Sequence, residues 1–230
     1  MILFFYGAII RMLLRNNYFI KGDLKMKKIL AMLLVIASLF SFAACGIIGG
    51  TKVELTRGTL DENVYTNDVL GFTFTKPSSW VYSTDEEIAD AMNLGIDLLG
   101  KDKFQASLES AASLFDMMAV DRVSGTNLSV GYENLKNTHS SNISVERYIE
   151  ALEQQLKDVT TMTVEFPDEY DEVTLGEVEF TRVVCTTTMY SVEMQQIYYL
   201  HKIDKYMVFI TVTIPSSAPY TMADVEDMFG

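Results

Sequence analysis

The sequence predicts an α+β domain: a largely antiparallel sheet flanked by helices. Three observations carry that reading. The last third is a run of strand-like segments joined by tight turns. Helix-periodic segments with capping residues are interspersed before it. One late segment, 206–214, places Tyr206, Val208, Ile210, Val212 and Ile214 on one face and Met207 and Phe209 on the other. Apolar residues on both faces are the pattern of a central strand covered from each side. Runs of hairpin-linked strands with interspersed helices belong to α+β architecture.

The elements follow in order. Tyr65 and the stretch Gly71-Phe72-Thr73-Phe74-Thr75 read as two short strands joined by a turn at Asn67-Asp68. Pro77-Ser78-Ser79 closes the second, and Trp80 and Tyr82 follow. Thr84-Asp85-Glu86-Glu87 is a capping box, which predicts a helix over 85–99 with Ile88, Met92, Ile96 and Leu99 on one face, weakened by Gly95. A shorter helix is expected over 104–112. Residues 115–120 and 127–132 form a hairpin around 122–126. Ser144 caps a helix over 145–157, whose Val145, Tyr148, Ile149, Leu152 and Leu156 make one apolar stripe. Strands are expected over 162–166, 173–175, 178–189, 192–201 and 206–214, with turns at Gly176-Glu177 and Asp204-Lys205. A short helix starts at Thr221, and the abrupt stop at Gly230 is read as a truncation. Trp80 and Phe74 are expected in the core.

The first 45 residues have a different character. Lys27-Lys28 lead the apolar run 29–42, which Ala43-Ala44-Cys45 closes. A spanning helix needs about 20 apolar residues, so the run is short for one. A basic start, a short apolar core and small residues at its end are the layout of a secretory signal. The terminal cysteine makes 26–44 resemble a bacterial lipoprotein signal peptide. In that family the position before the two small residues usually carries Leu, Val or Ile, and here it is Phe42. The resemblance implies a diacylglyceryl or palmitate-type acyl lipid on Cys45, cleavage before it, and a place on the extracytoplasmic face of the cell membrane. Residues 1–25 contain Arg11 and Arg15, costly at a bilayer centre, and precede a natural start at Met26. They are read as an over-extended start. Residues 45–56 form the lipidated cysteine and a short tether, and 57–230 one domain.

The whole chain carries a net charge of −13, with 18 basic and 31 acidic residues. Residues 1–44 hold six of the basic residues and one of the acids, so the remainder has 12 against 30, or −18. Such a surface disfavours nucleic acid and anionic headgroups. With lipid on Cys45, Cys185 is left as a buried free thiol and no internal disulfide forms.

The opening Tyr65-x-Asn67…Gly71-Phe72-x-Phe74-x-x-Pro77-x-x-Trp80 resembles the start of PsbP-like domains, named for an extrinsic protein of photosystem II. The resemblance covers about residues 57 to 230 and extends to lipoproteins of Gram-positive gut bacteria that carry such domains. It implies an antiparallel sheet between helical layers, an α/β/α sandwich. It brings no functional site, because the matching residues are fold-forming in the family.

Chemistry is sparse. The chain lacks Gly-x-Ser-x-Gly, a phosphate loop, His-Glu-x-x-His and EF-hand spacing. His139 and His201 are the two imidazoles, and His201 is placed for pairing with Asp204 or Glu193. In the acidic run 165–172, Glu165, Asp168, Glu169, Asp171 and Glu172 are candidate oxygen ligands for a divalent cation, or else a solvated connection. Tyr190, Tyr198 and Tyr199 offer a flat face for sugar or peptide, although at least one of the adjacent pair must pack inward. The expectation is a lipid-anchored, non-enzymatic binding or adaptor module with a protein partner at the cell surface and no cofactor beyond the anchor. A solute- or cation-binding protein comes second and a hydrolase last.

Overall fold

In the computed structural model, residues 54–230 are described; the signal-like segment and Cys45 lie outside them. Eleven strands and five α-helices follow one another among these residues. The strands are β1 (Thr59–Asp61), β2 (Val64–Asn67), β3 (Phe72–Thr75), β4 (Trp80–Tyr82), β5 (Ser113–Asp121), β6 (Asn127–Asn134), β7 (Met162–Glu165), β8 (Asp171–Leu175), β9 (Val178–Met189), β10 (Val192–Ile203) and β11 (Tyr206–Pro215). The helices are α1 (Asp85–Met92), α2 (Phe104–Ser110), α3 (Leu135–Thr138), α4 (Val145–Lys157) and α5 (Met222–Glu226). No helix among them is long and apolar enough to cross a membrane.

The main sheet runs β4-β5-β6-β11-β10-β9-β7, with β8 also on β9, and its pairings are antiparallel. The strand that is apolar on both faces, β11, lies between β6 and β10 and is buried along its whole length. Register sets the two faces. Tyr132, Val130 and Leu128 of β6 stand opposite Val208, Ile210 and Val212 of β11 and share their face with Leu114, Met117 and Ala119 of β5. On the other face Gly131 sits between Phe115 and Phe209. The two rings meet edge to face across it, with centroids 5.4 Å apart. A Cβ at Gly131 would lie 2.4 Å from Phe209 Cζ, so this row of the sheet closes only over glycine.

A smaller sheet, β1-β2-β3, carries Tyr65, Phe72 and Phe74 into the core. Residues 228–230 extend it. Thr73 and Gly230 exchange backbone hydrogen bonds at 2.7 and 3.1 Å, and Phe74 bridges Phe229. Trp80 and Phe74 are 1% and 0% exposed, as expected of core residues.

Two helices differ from their sequence expectation. The first ends at Met92, because Asn93 adopts a left-handed conformation (φ 54°) and caps it; a separate 3-10 turn, Ile96–Leu99, follows Gly95. Its start is as expected, with the Thr84–Glu87 capping box formed in both directions. The second stops at Ser110 rather than 112. Helix α4 matches, with Ser144 accepting from the Arg147 amide and Tyr148, Ile149, Leu152 and Leu156 buried. Strands β1 and β4 and the four-residue α3 carried too few residues for a periodic signal.

The acidic run is not one loop. Glu165 ends β7, while Asp171 and Glu172 open β8, and both strands pair with the same edge of β9. Glu165 faces Thr186 and Asp171 faces Arg182, so five residues, 166–170, span a gap that three residues fill on β9. The excess loops out around Pro167, Asp168 and Glu169. A proline, charges and a break in pairing are what keep an exposed sheet edge from recruiting another chain.

Candidate functional site

The most distinctive chemistry is a buried carboxylate, Asp116, 2% exposed. The pairing of β5 with β6 shifts register between Phe115 and Met117, making Asp116 the extra residue of a bulge. Its side chain meets the hydroxyl of Tyr132 instead of facing away from it. Around it closes the strap formed by residues 55–67.

Donors converge on this one group. Tyr65 Oη donates to Asp116 Oδ2 at 2.6 Å, and the Gly58 amide reaches both oxygens at 3.2 and 3.0 Å. Asn67 Nδ2 donates to the same Oδ2 at 3.2 Å, and to the hydroxyls of Tyr65 and Tyr132 at 2.8 and 2.7 Å. Asn67 Oδ1 is used as well, accepting from the Leu70 amide at 3.0 Å. Arg57 Nε lies 3.5 Å from Oδ1. The Arg57 guanidinium also donates to the backbone oxygens of Asp116 and Leu99 and forks onto both oxygens of Asp85, at 2.9 and 2.6 Å. Gly58 is required here: a Cβ would stand 2.3 Å from the Tyr65 ring.

The electrostatics follow from the geometry. Burial pushes the Asp116 carboxyl above its ordinary range, and the Tyr65 hydroxyl, Gly58 amide and Arg57 charge oppose it without cancelling it. Burial raises the Tyr65 and Tyr132 hydroxyls well above the usual phenol range, with the Asp116 charge next, so both stay proton donors. At the rim, hydrogen bonding to Arg57 lowers the Asp85 carboxyl. Burial works against the Arg57 charge, but Asp85 outweighs it and the guanidinium is raised. Removing one partner of such a buried ion pair typically costs about 3–5 kcal/mol. The cluster can therefore hold the strap on the sheet, and so enclosed a carboxylate presents no open face to a substrate. Sequence reasoning missed it. The available signal was a lone acid inside the apolar stretch Leu114-Phe115-Asp116-Met117-Met118.

A second cluster ties the C-terminal segment. Arg182 pairs with Asp171 of β8 and, at 2.6 Å, with Glu226 of α5, which also accepts from Tyr199 Oη at 2.9 Å. Asp171 is thus engaged by arginine, which lowers its carboxyl, and Glu172 accepts from Thr181 at 2.9 Å. Glu165, Asp168 and Glu169 lie apart on the strand end and the bulge. Among the described residues no three His, Cys, Asp or Glu side chains converge on a common metal position.

The other candidates are dispersed. His201 does not pair with Asp204 or Glu193: its Nδ1 lies 2.9 Å from the Glu179 carbonyl and its ring packs on Phe180. Tyr198 and Tyr199 are both buried, and Tyr190 is 57% exposed at the tip of the β9–β10 hairpin. The three make no flat face. Cys185 is a buried free thiol, pushed up to about 12 first by burial and then by the Glu153 charge.

Neither a family model nor a curated protein matches the chain. Among solved structures, it is similar to the cyanobacterial PsbP of Synechocystis sp. PCC 6803. That similarity covers 80% of this chain and 97% of that one, at 11% identity and a TM-score of 0.44. A second similarity is to a protein from Bacteroides thetaiotaomicron VPI-5482, covering 76% and 48% at 10% identity and a TM-score of 0.34. The α+β architecture is established by this chain's own sheet order and flanking helices.

Proposed function

We propose that the chain is a membrane-anchored extracytoplasmic lipoprotein whose PsbP-like domain acts as a non-enzymatic binding or adaptor module. The observation that carries this reading is the segment 26–45, with its lysine pair, short apolar core and closing Ala43-Ala44-Cys45. Lipid on Cys45 would put the domain a short tether from the bilayer. A flexible tether spans about 5–6 Å times the square root of its length, which for so few residues keeps the strap near the headgroups. The acidic surface supports a basic protein partner and argues against nucleic acid. The enclosed latch around Asp116 supports a scaffold role over catalysis.

The test has two arms. Metabolic labelling with a palmitate analogue is expected to mark the wild-type chain in the membrane fraction and to miss Cys45→Ser. An unlabelled wild-type chain would remove the anchor. In-cell crosslinking of the anchored chain is expected to enrich one dominant partner that is lost in the core variant Trp80→Ala. No enrichment over background would remove the adaptor role.

A further inference from the structure

We propose that Glu133, His139 and Tyr148 form a pH-sensitive latch that fastens the connection 139–144, and with it the start of α4, to the main sheet. Glu133 stands near the end of β6 with its side chain 1% exposed. Its Oε2 accepts a hydrogen bond from Tyr148 Oη of α4 at 2.6 Å. Its Oε1 lies 3.4 Å from Nε2 of His139, the residue that follows α3. The His139 and Tyr148 rings meet edge to face, with centroids 5.6 Å apart. One buried carboxylate thereby joins a strand, a connection and a helix.

A carboxylate withdrawn from water needs a counter-charge or a proton. Among the described residues, the cationic side chain paired with Glu133 is that of His139. Imidazole is the side chain whose charge ordinarily changes between about pH 5 and 8, whereas lysine or arginine would make a permanent pair. The two tyrosine hydroxyls beside this point do not switch there. Burial, then the Glu133 charge, drives the Tyr148 hydroxyl upward, so it donates throughout. Tyr198 of β10, behind it, is likewise raised by burial. Lys136 lies three residues before His139 and is the basic side chain of α3's last turn.

The sign follows. With the imidazole protonated, the ion pair and the tyrosine bond both hold the carboxylate. With the imidazole neutral the ion pair is absent, and Glu133 keeps the hydroxyl alone. The His139 side chain is 20% exposed. The connection it closes is lightly held. Ser140 and Asn142 are exposed, and the backbone amides of His139, Asn142 and Ile143 bond only locally, to Leu135 O, Ser140 Oγ and Ser140 O. Loosening is therefore expected in 139–144 before it reaches the sheet.

The experiment is amide exchange across pH, corrected for intrinsic rates, with the His139 ring titration followed by NMR on the same sample. Protection of 139–144 in the wild-type chain is expected to fall about fivefold as the ring loses its proton, equivalent to about 1 kcal/mol. His139→Gln should show the looser level at every pH. His201→Gln, removing the chain's other imidazole, should keep the wild-type response. A His139 ring that titrates with no change in local protection would overturn the proposal, and that reading needs no variant. So would a response that survives in His139→Gln or vanishes in His201→Gln.

Discussion

Removing the Tyr65 hydroxyl isolates one bond of the strap latch. Tyr65→Phe keeps the buried ring and deletes the 2.6 Å donor to Asp116 and the 2.8 Å acceptor for Asn67. Asn67 loses little, since it still donates to Tyr132 and Asp116. The cost is then the charged hydrogen bond, about 1.5–3 kcal/mol when the acceptor is ionised. That is a large part of the 5–15 kcal/mol typical of a whole domain. The single tryptophan, Trp80, is buried and reports unfolding by fluorescence. With a urea slope of about 2 kcal/mol/M, the midpoint should fall by about 1 M. The pH dependence adds a check. Asp116 is raised by burial, so the folded chain holds this proton more tightly than the unfolded one. Its contribution to stability therefore falls as pH rises from the ordinary carboxylate range up to the raised value. Tyr65→Phe removes one of the groups that lower it and widens that window. Below it the carboxyl is protonated, the hydroxyl has no charged partner, and the difference between the two chains should shrink. A midpoint shift under about 0.3 M at neutral pH, or the same difference at acid and neutral pH, would refute the reasoning.

Other substitutions probe separate features. Gly131→Ala must push Phe209 aside and should cost about 1–3 kcal/mol by urea unfolding. The β9–β10 turn places Tyr190 (φ 49°) and Ser191 (φ 65°) in the left-handed region, where asparagine and glycine are favoured. Replacing them with Asn-Gly should raise stability by about 1–2 kcal/mol in a thermal melt, and no change would mean the turn is unstrained. Cys185, buried and pushed up to about 12, should resist a thiol reagent at neutral pH until denaturant is added. Prompt labelling of the folded chain would show that its strand opens.

Features that depend on near neighbours in sequence were legible. Thr84 and Ser144 cap helices as their spacing indicates, and β11 is central because its apolar residues occupy both faces. The first helix was read too long because its apolar periodicity continues past Asn93, whose turn to positive φ is not itself a periodic signal. The strap latch escaped for a different reason. Asp116 in regular alternation would face away from Tyr132, and only the bulge reverses it, while its partners lie as far as 59 residues away in the chain. The acidic run looked like one loop because charge and Pro167 hide two strands that share an edge of β9.

The pairing of Thr73 with Gly230 sets an order on biogenesis. These residues are 157 positions apart, yet their backbones close one edge of the small sheet and seat Phe229 on Phe72 and Phe74, with ring centroids 5.6 and 5.2 Å away. A ribosome releasing this chain cannot complete that edge until Gly230 has emerged. Contacts so distant in sequence also form late and slowly. The nascent domain therefore keeps its aromatic seam open until residues 228–230 are in place, and its exposed rings need protection from aggregation in the meantime.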